Sequence, residues 1–179
     1  MPRIVLIGMP GAGKTTVGKS LANVLSLPFF DADRELVART GVSIATIFEI
    51  EGEASFRRRE AALIAELFGR EAFVMATGGG AILDSATRTL IHSSAIVVYL
   101  RATLGALMDR TQKDSTRPLL ADGDLKEKLG ALLAMRSPLY EEAAHLTFDT
   151  GRQSPSRLAA AIAKVIESRI GESGEVTKA

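Results

Sequence analysis

Residues 3–16, RIVLIGMPGAGKTT, decide the fold. Arg3 to Ile7 is a short, nearly continuous apolar run that reads as a buried strand. Gly8-Met9-Pro10-Gly11-Ala12-Gly13-Lys14-Thr15 follows at once and satisfies the spacing GxxxxGK[ST] in full. Lys14 to Leu25 then places Val17, Leu21, Val24 and Leu25 at helical spacing. A strand, a glycine loop and a helix in that order build a cradle for phosphate. The glycines let the backbone curl with its N–H groups inward, and the helix N-terminus adds a favourable dipole. Gly11, Ala12, Gly13, Lys14, Thr15 and Thr16 are therefore read as the binding run for ATP. Lys14 is expected to reach the β- and γ-phosphates, and the Thr15 hydroxyl to ligate Mg²⁺. A dinucleotide fingerprint GxGxxG fails here, because Thr16 stands where the last glycine would be.

Working outward, short β-like runs alternate with helical patterns. Phe29-Phe30 is a second strand ending at Asp31, followed by a helix from Arg34 to Arg39 that Gly41 terminates. Ser43 caps a short helix through Ile50, and Gly52 to Phe68 reads as a longer one. Phe73 to Ala76 is a third strand that runs into Gly78-Gly79-Gly80. Asp84 caps a helix through Ile91, Ala95 to Leu100 is a strongly apolar strand, and Thr103 to Arg110 is a helix. The polar segment from Gln112 to Asp124 reads as a mobile lid. Leu125 to Met135 is helical, Leu146 to Phe148 is the last strand, and Ser154 caps a helix from Pro155 to Ile170. Residues 1–170 thus form one domain, and 171–179 are expected to fray. Alternating elements with apolar strands imply an α/β fold, a parallel sheet covered by helices on both faces. In such sheets ligands bind beyond the carboxyl ends of the strands, where Gly8, Asp31, Asp33 and the glycine triplet all fall.

Composition excludes several classes. The chain has 179 residues, 46% of them hydrophobic, which suits one α/β domain with an ordinary core. With 22 Lys+Arg against 21 Asp+Glu, the net charge of +1 gives no reason to expect nucleic acid or an anionic membrane as partner. The absence of cysteine removes disulfides, thiolate nucleophiles and cysteine zinc sites, and His92 and His145 are too few for a histidine metal cluster. No apolar stretch approaches the ~20 residues of a membrane span, and the apolar N-terminus is too short for a signal peptide. A cytoplasmic enzyme is the expectation.

Four further groups of residues carry chemistry. Asp31 and Asp33, read in an extended segment, would point the same way beside the metal and the γ-phosphate. One would hold the Mg²⁺ shell and the other accept a proton from an alcohol, although Asp33 also suits a helix N-cap. Arg57-Arg58-Arg59 looks like a basic patch, but ~100° between successive helical residues means the three cannot share a face. Glu60 lies one turn beyond Arg57 and can brace it. The triplet Gly78-Gly79-Gly80 costs backbone entropy, which points to close approach to a ligand. Arg117, in the lid, suits the neutralisation of phosphoryl charge, and Arg136 ahead of Ser137-Pro138 ends a helical run where it would also serve as a C-terminal cap.

The strings GMPGAGKTTVG, FFDADRE, IFEIEGEASFRRRE, ATGGGAI, RPLL and RSPLYEEAA together resemble shikimate kinases, from about Arg3 to about Ile166. The resemblance implies a three-layer α/β/α P-loop NTPase fold with a five-stranded parallel sheet in the order 2-3-1-4-5. It implies transfer of the ATP γ-phosphate to the 3-hydroxyl of shikimate, a step toward chorismate and the aromatic amino acids. Asp31 would hold the hydrated metal and Asp33 would bind the reactive hydroxyl as base. Arg57 and Arg136 would grip the substrate carboxylate, with Glu60 bracing Arg57. Gly78, Gly79 and Gly80 would line the substrate pocket. Arg117 would meet the phosphates, and Arg110 and the loop from Arg152 to Pro155, with Gln153, would flank the adenine. A monomer is implied. Two other readings stand beside this one: another small-molecule kinase of the same fold, for gluconate or a nucleoside monophosphate, and a nucleotide-binding regulator without catalysis. The first has no special need for Asp33, Arg57 and the glycine triplet together, and the second has no need to keep Lys14, Asp33 and Arg117.

Overall fold

The computed structural model describes residues 2–112, 125–151 and 153–175. Five strands form one sheet: β1 (Arg3–Ile7), β2 (Phe29–Asp31), β3 (Phe73–Ala76), β4 (Ile96–Arg101) and β5 (Leu146–Asp149). Their order is β2-β3-β1-β4-β5, and every pairing is parallel. Ile4 to Ile7, Phe73 to Met75 and Val97 to Leu100 are almost completely buried, as strands covered on both faces must be.

Among the described residues seven α-helices cover the sheet: α1 (Lys14–Leu25), α2 (Ala32–Thr40), α3 (Ile44–Leu67), α4 (Ser85–Ser94), α5 (Leu104–Gln112), α6 (Leu125–Ala143) and α7 (Pro155–Glu175). α1 packs on α7 in one layer, and α4 packs against both α3 and α6 in the other. Among the described residues no helix is long and apolar enough to cross a membrane.

Several boundaries differ from the sequence reading, each for a local reason. α2 begins at Ala32, so Asp31 is its N-cap and its carboxylate accepts the Arg34 N–H at 3.2 Å. Asp33 is neither that cap nor in an extended segment; it sits in the first turn of α2. The two expected helices around residue 50 run into each other as α3, interrupted at Gly52, whose φ of 79° and ψ of 167° are non-helical and suit glycine. A 3₁₀ turn, Ala81–Leu83, follows the glycine triplet.

α6 does not stop at Met135. It passes through Pro138 to Ala143, because its buried stripe continues across the proline as Leu129, Arg136, Tyr140 and Ala143. The Ser137 hydroxyl donates to the Leu133 carbonyl at 2.7 Å in the same turn. Arg136 is therefore an interior helical residue and not a C-terminal cap. α7 likewise continues five residues past Ile170, through Glu175, where fraying is expected from sequence; 176–179 lie outside the described residues. Of the lid expected at 112–124, Gln112 ends α5 and 113–124, including Arg117, lie outside the described residues.

Candidate active site

The loop between β1 and α1 is shaped by Gly11 and Gly13, both at positive φ (84° and 96°), which side chains rarely adopt. Within it the Ala12 N–H donates to the Met9 carbonyl at 3.0 Å. α1 opens without a side-chain cap and without an acidic residue in its first turn, so its N-terminal N–H groups face the loop with no competing charge. Lys14 is buried, and its ammonium donates to the carbonyls of Gly8 at 2.8 Å and Met9 at 3.0 Å. The Thr15 hydroxyl donates to Asp31 at 2.6 Å, so a hydroxyl and a carboxylate stand together beside the loop. These hard oxygens suit a cation that keeps most of its water, as Mg²⁺ does. Among the described residues no group of three or more acidic, histidine or cysteine side chains forms a closed metal cage.

A second cluster lies across the ends of β2 and β3. Of the three consecutive arginines only Arg57 turns inward. Arg59 pairs with Glu51 at 2.9 Å on the surface and Arg58 is exposed, as helix geometry requires. The Arg57 guanidinium donates to Glu60 at 2.6 Å and to Glu53 at 3.3 Å, and lies 5.0 Å from the centre of the Phe56 ring. Glu60 is 3% exposed. Burial pushes its carboxyl above the usual range, against the opposing pull of Arg57; Asp33 adds to the upward push. Arg136 is also buried. Arg57 Nε, Arg136 Nε and Glu60 Oε1 have no hydrogen-bond partner among the described residues.

The glycine triplet is the hinge between the two clusters, and each glycine is there for space. A β-carbon at Gly78 would strike the Glu60 carboxylate and come within 2.8 Å of Asp33. At Gly79 it would lie 2.5 Å from Pro10 of the phosphate loop, and at Gly80 it would strike the Arg57 guanidinium. The carbonyls are already engaged: Gly78 accepts from the Ala81 N–H, Gly80 from the Leu83 N–H, and Gly79 from the Tyr140 hydroxyl at 2.5 Å. What the turn can present to a ligand is therefore its N–H groups. Tyr140 is missing from the residues singled out in the sequence. Its sequence signals are its place inside the string RSPLYEEAA and its spacing, four residues after Arg136 on one helix face.

The nucleotide periphery is partly assembled. Arg110 donates to the Gly11 carbonyl at 3.0 Å and approaches the Thr150 hydroxyl at 3.4 Å, which ties α5 to the phosphate loop and to the turn after β5. Gln153 is exposed on that turn, Thr16 is exposed on α1, and Arg152 lies outside the described residues. The structure thus brings Lys14, Thr15 and Asp31 together on one side, and Asp33, Arg57, Glu60, Gly78, Gly79 and Gly80 on the other, with Arg136 close to Glu60 and Tyr140.

Comparison with known proteins finds relatives along nearly the whole chain. A family model described as shikimate kinase matches residues 10–167. A shikimate kinase from Burkholderia pseudomallei is 55% identical over 155 residues, covering 87% of this chain and 84% of that protein. One from Nitrosospira multiformis is 48% identical over 170 residues, covering 94% and 87%. The solved structure of a shikimate kinase from Acinetobacter baumannii in complex with shikimate superposes with a TM-score of 0.91 at 44% identity, covering 94% of each chain.

Proposed function

The chain belongs to the shikimate kinase family and is an ATP-dependent kinase of shikimate, and from that premise we propose how its residues divide the work. The observation that carries the proposal is a cationic pair, Arg136 buried and Arg57 half-buried. Arg57 and Arg136 each bury an unpartnered Nε beside Glu60, across the glycine turn from the phosphate loop. A carboxylate with ring hydroxyls satisfies such a site at one end and reaches the phosphates at the other. Arginine suits the carboxylate because its planar fork binds two oxygens.

On the nucleotide side, Gly11, Ala12, Gly13, Lys14, Thr15 and Thr16 hold the phosphates of ATP, and Arg110 and Gln153 flank the base. Lys14 would exchange the carbonyls of Gly8 and Met9 for phosphate oxygens. Thr15 and Asp31 would hold a hydrated Mg²⁺, which supplies charge neutralisation at the phosphates. On the acceptor side, Asp33 receives the proton of the attacking hydroxyl, in our reading the 3-hydroxyl. That oxygen bonds to the γ-phosphorus as the bond to the β,γ-bridging oxygen breaks, leaving shikimate 3-phosphate and ADP. Arg57, Arg136 and the glycine turn fix the ring so that one hydroxyl faces Asp33, and orientation of this kind accounts for much of the rate. We further propose that the enzyme works as a single-domain monomer in the cytoplasm, with light scattering as the check on the monomer. The functional test is ADP release by the purified chain with and without shikimate. Release that does not depend on shikimate would overturn the assignment.

A further inference from the structure

We propose that Tyr140 is a positioning residue for substrate binding: its hydroxyl clamps the Gly79 carbonyl and stands beside Arg136, holding the glycine turn and the carboxylate-binding arginine in one register. The inference rests on the reading of Arg136 and the triplet as the shikimate site.

Tyr140 is fully buried, and its ring stacks on Tyr99 of β4 with centroids 5.0 Å apart and planes 24° from parallel. The ring position is thus set by the sheet, and the hydroxyl is carried to a fixed point. There it donates to Gly79 at 2.5 Å. This is the one triplet carbonyl that the following 3₁₀ turn does not use, since Gly78 and Gly80 are occupied by the N–H groups of Ala81 and Leu83. Without Tyr140 the central peptide of the turn has no hydrogen bond to set its plane. That plane also fixes where the N–H of Gly80 points. Gly79 has no room to drift the other way, because Pro10 of the phosphate loop packs against its Cα.

The second contact is with Arg136, four residues earlier on the same buried face of α6. The arginine's charge lies close enough to oppose, weakly, the effect of burial on the phenol. Burial pushes the phenol far above its usual range, so it stays protonated and remains a donor at every working pH. A single side chain therefore ties the backbone turn, through its hydroxyl, to the buried stripe of α6 that carries Arg136.

The test is Tyr140→Phe, which keeps the ring stack and removes only the hydroxyl. Leaving a buried carbonyl unsatisfied is expected to raise the KM for shikimate roughly 5- to 20-fold, with the KM for ATP unchanged within about twofold. A purely structural brace would lower the melting temperature and leave the two KM values in their normal ratio, and that result overturns the proposal. Arg136→Ala is measured in parallel. If it raises the shikimate KM and Tyr140→Phe does not, the role of Tyr140 is wrong; if neither does, the substrate site itself is misassigned. Should Tyr140→Phe fail to fold, the native chain offers a second readout, because it contains only two tyrosines. Labelled with fluorotyrosine and assigned through Tyr99→Phe, the Tyr140 fluorine resonance should shift on saturation with shikimate alone. A resonance that stays in place overturns the proposal.

Discussion

Gly80→Ala is the sharpest perturbation of the proposed acceptor site. The backbone there has φ −101° and ψ 0°, which alanine tolerates, so the cost is steric and not conformational. An alanine β-carbon would land on the Arg57 guanidinium, with Nη1 at 2.7 Å and Nη2 closer still. Ordinary contact needs about 3.5 Å, so the nearest guanidinium atoms must retreat by more than about 1 Å. It cannot do so freely, being tied to Glu60 at 2.6 Å and packed near Phe56. Overpacking of this kind costs about 1–3 kcal/mol, and a misplacement of about 1 Å in a positioned site costs on the order of 100-fold. We expect the shikimate KM to rise about 10- to 100-fold while the ATP KM stays within about twofold. The melting temperature should fall by about 2–12 °C, from about 2–4 °C per kcal/mol for a chain of this size. Steady-state rates with each substrate varied in turn, together with a thermal melt, read all three quantities. Gly18→Ala is the control: its β-carbon would meet the Phe29 ring at 2.6 Å, far from the arginines, so it should lower the melting temperature without separating the two KM values. Equal changes in both KM values for Gly80→Ala would refute the reasoning.

Asp33→Asn keeps the shape and removes the proton acceptor, so kcat should fall at least about 100-fold; an effect confined to KM would show that Asp33 only binds. Arg57→Ala and Arg136→Ala should each weaken shikimate binding, seen by calorimetry, by about 2–5 kcal/mol, whereas Arg58→Ala and Arg59→Ala should change it by well under 1 kcal/mol; equal losses at all three consecutive arginines would contradict the helix-face geometry. Burial raises the Glu60 carboxyl above its ordinary 4.5, so the folded chain binds more protons than the unfolded chain just above that pH. Its contribution to stability is then complete below the unfolded value and lost as pH rises through the folded one; Glu60→Gln should flatten the melting temperature across that window, and an unchanged profile would count against the burial argument.

The phosphate half of the site is legible in sequence because it is local. Strand, loop and helix are contiguous from Arg3 to Leu25, and the spacing of the glycines encodes their conformation. The sheet order comes from resemblance, since nothing in one chain's periodicity says which strand lies beside which. That the three consecutive arginines do not share a face follows from about 100° per residue, and which of them turns inward, Arg57, comes from the resemblance and is what the structure shows. The errors are tertiary. Pro138 reads as a stop, yet the burial of Arg136, Tyr140 and Ala143 on one stripe outweighs one missing N–H. Asp33 reads as extended because the N-cap falls at Asp31 instead, where Thr15, sixteen residues away, fixes the carboxylate. Tyr140 has no signal strong enough to stand out, because its partner is a backbone carbonyl sixty-one residues away.

The two pairings of Arg57 differ in a way that explains how such a site can take a carboxylate. Glu60 is 3% exposed and Glu53 is 58% exposed, so one partner is locked in the interior and the other stands in water. Giving up the Glu53 contact costs little, since exposed ion pairs are worth about 0–1 kcal/mol. The same guanidinium edge turned to a ligand carboxylate gains a pairing shielded from solvent, where charge-assisted bonds are stronger. Glu60 cannot be exchanged so cheaply. Removing it would take from the half-buried Arg57 its closest partner, a larger loss than that of an exposed pair. Glu60 therefore sets where the fork sits, and Glu53 is the contact that yields. Glu53→Gln should accordingly leave shikimate binding intact or tighten it by no more than about fivefold, while Glu60→Gln should weaken it. Calorimetric titration of both variants decides the point, and a loss of affinity in Glu53→Gln equal to that in Glu60→Gln would show that the two carboxylates share one role.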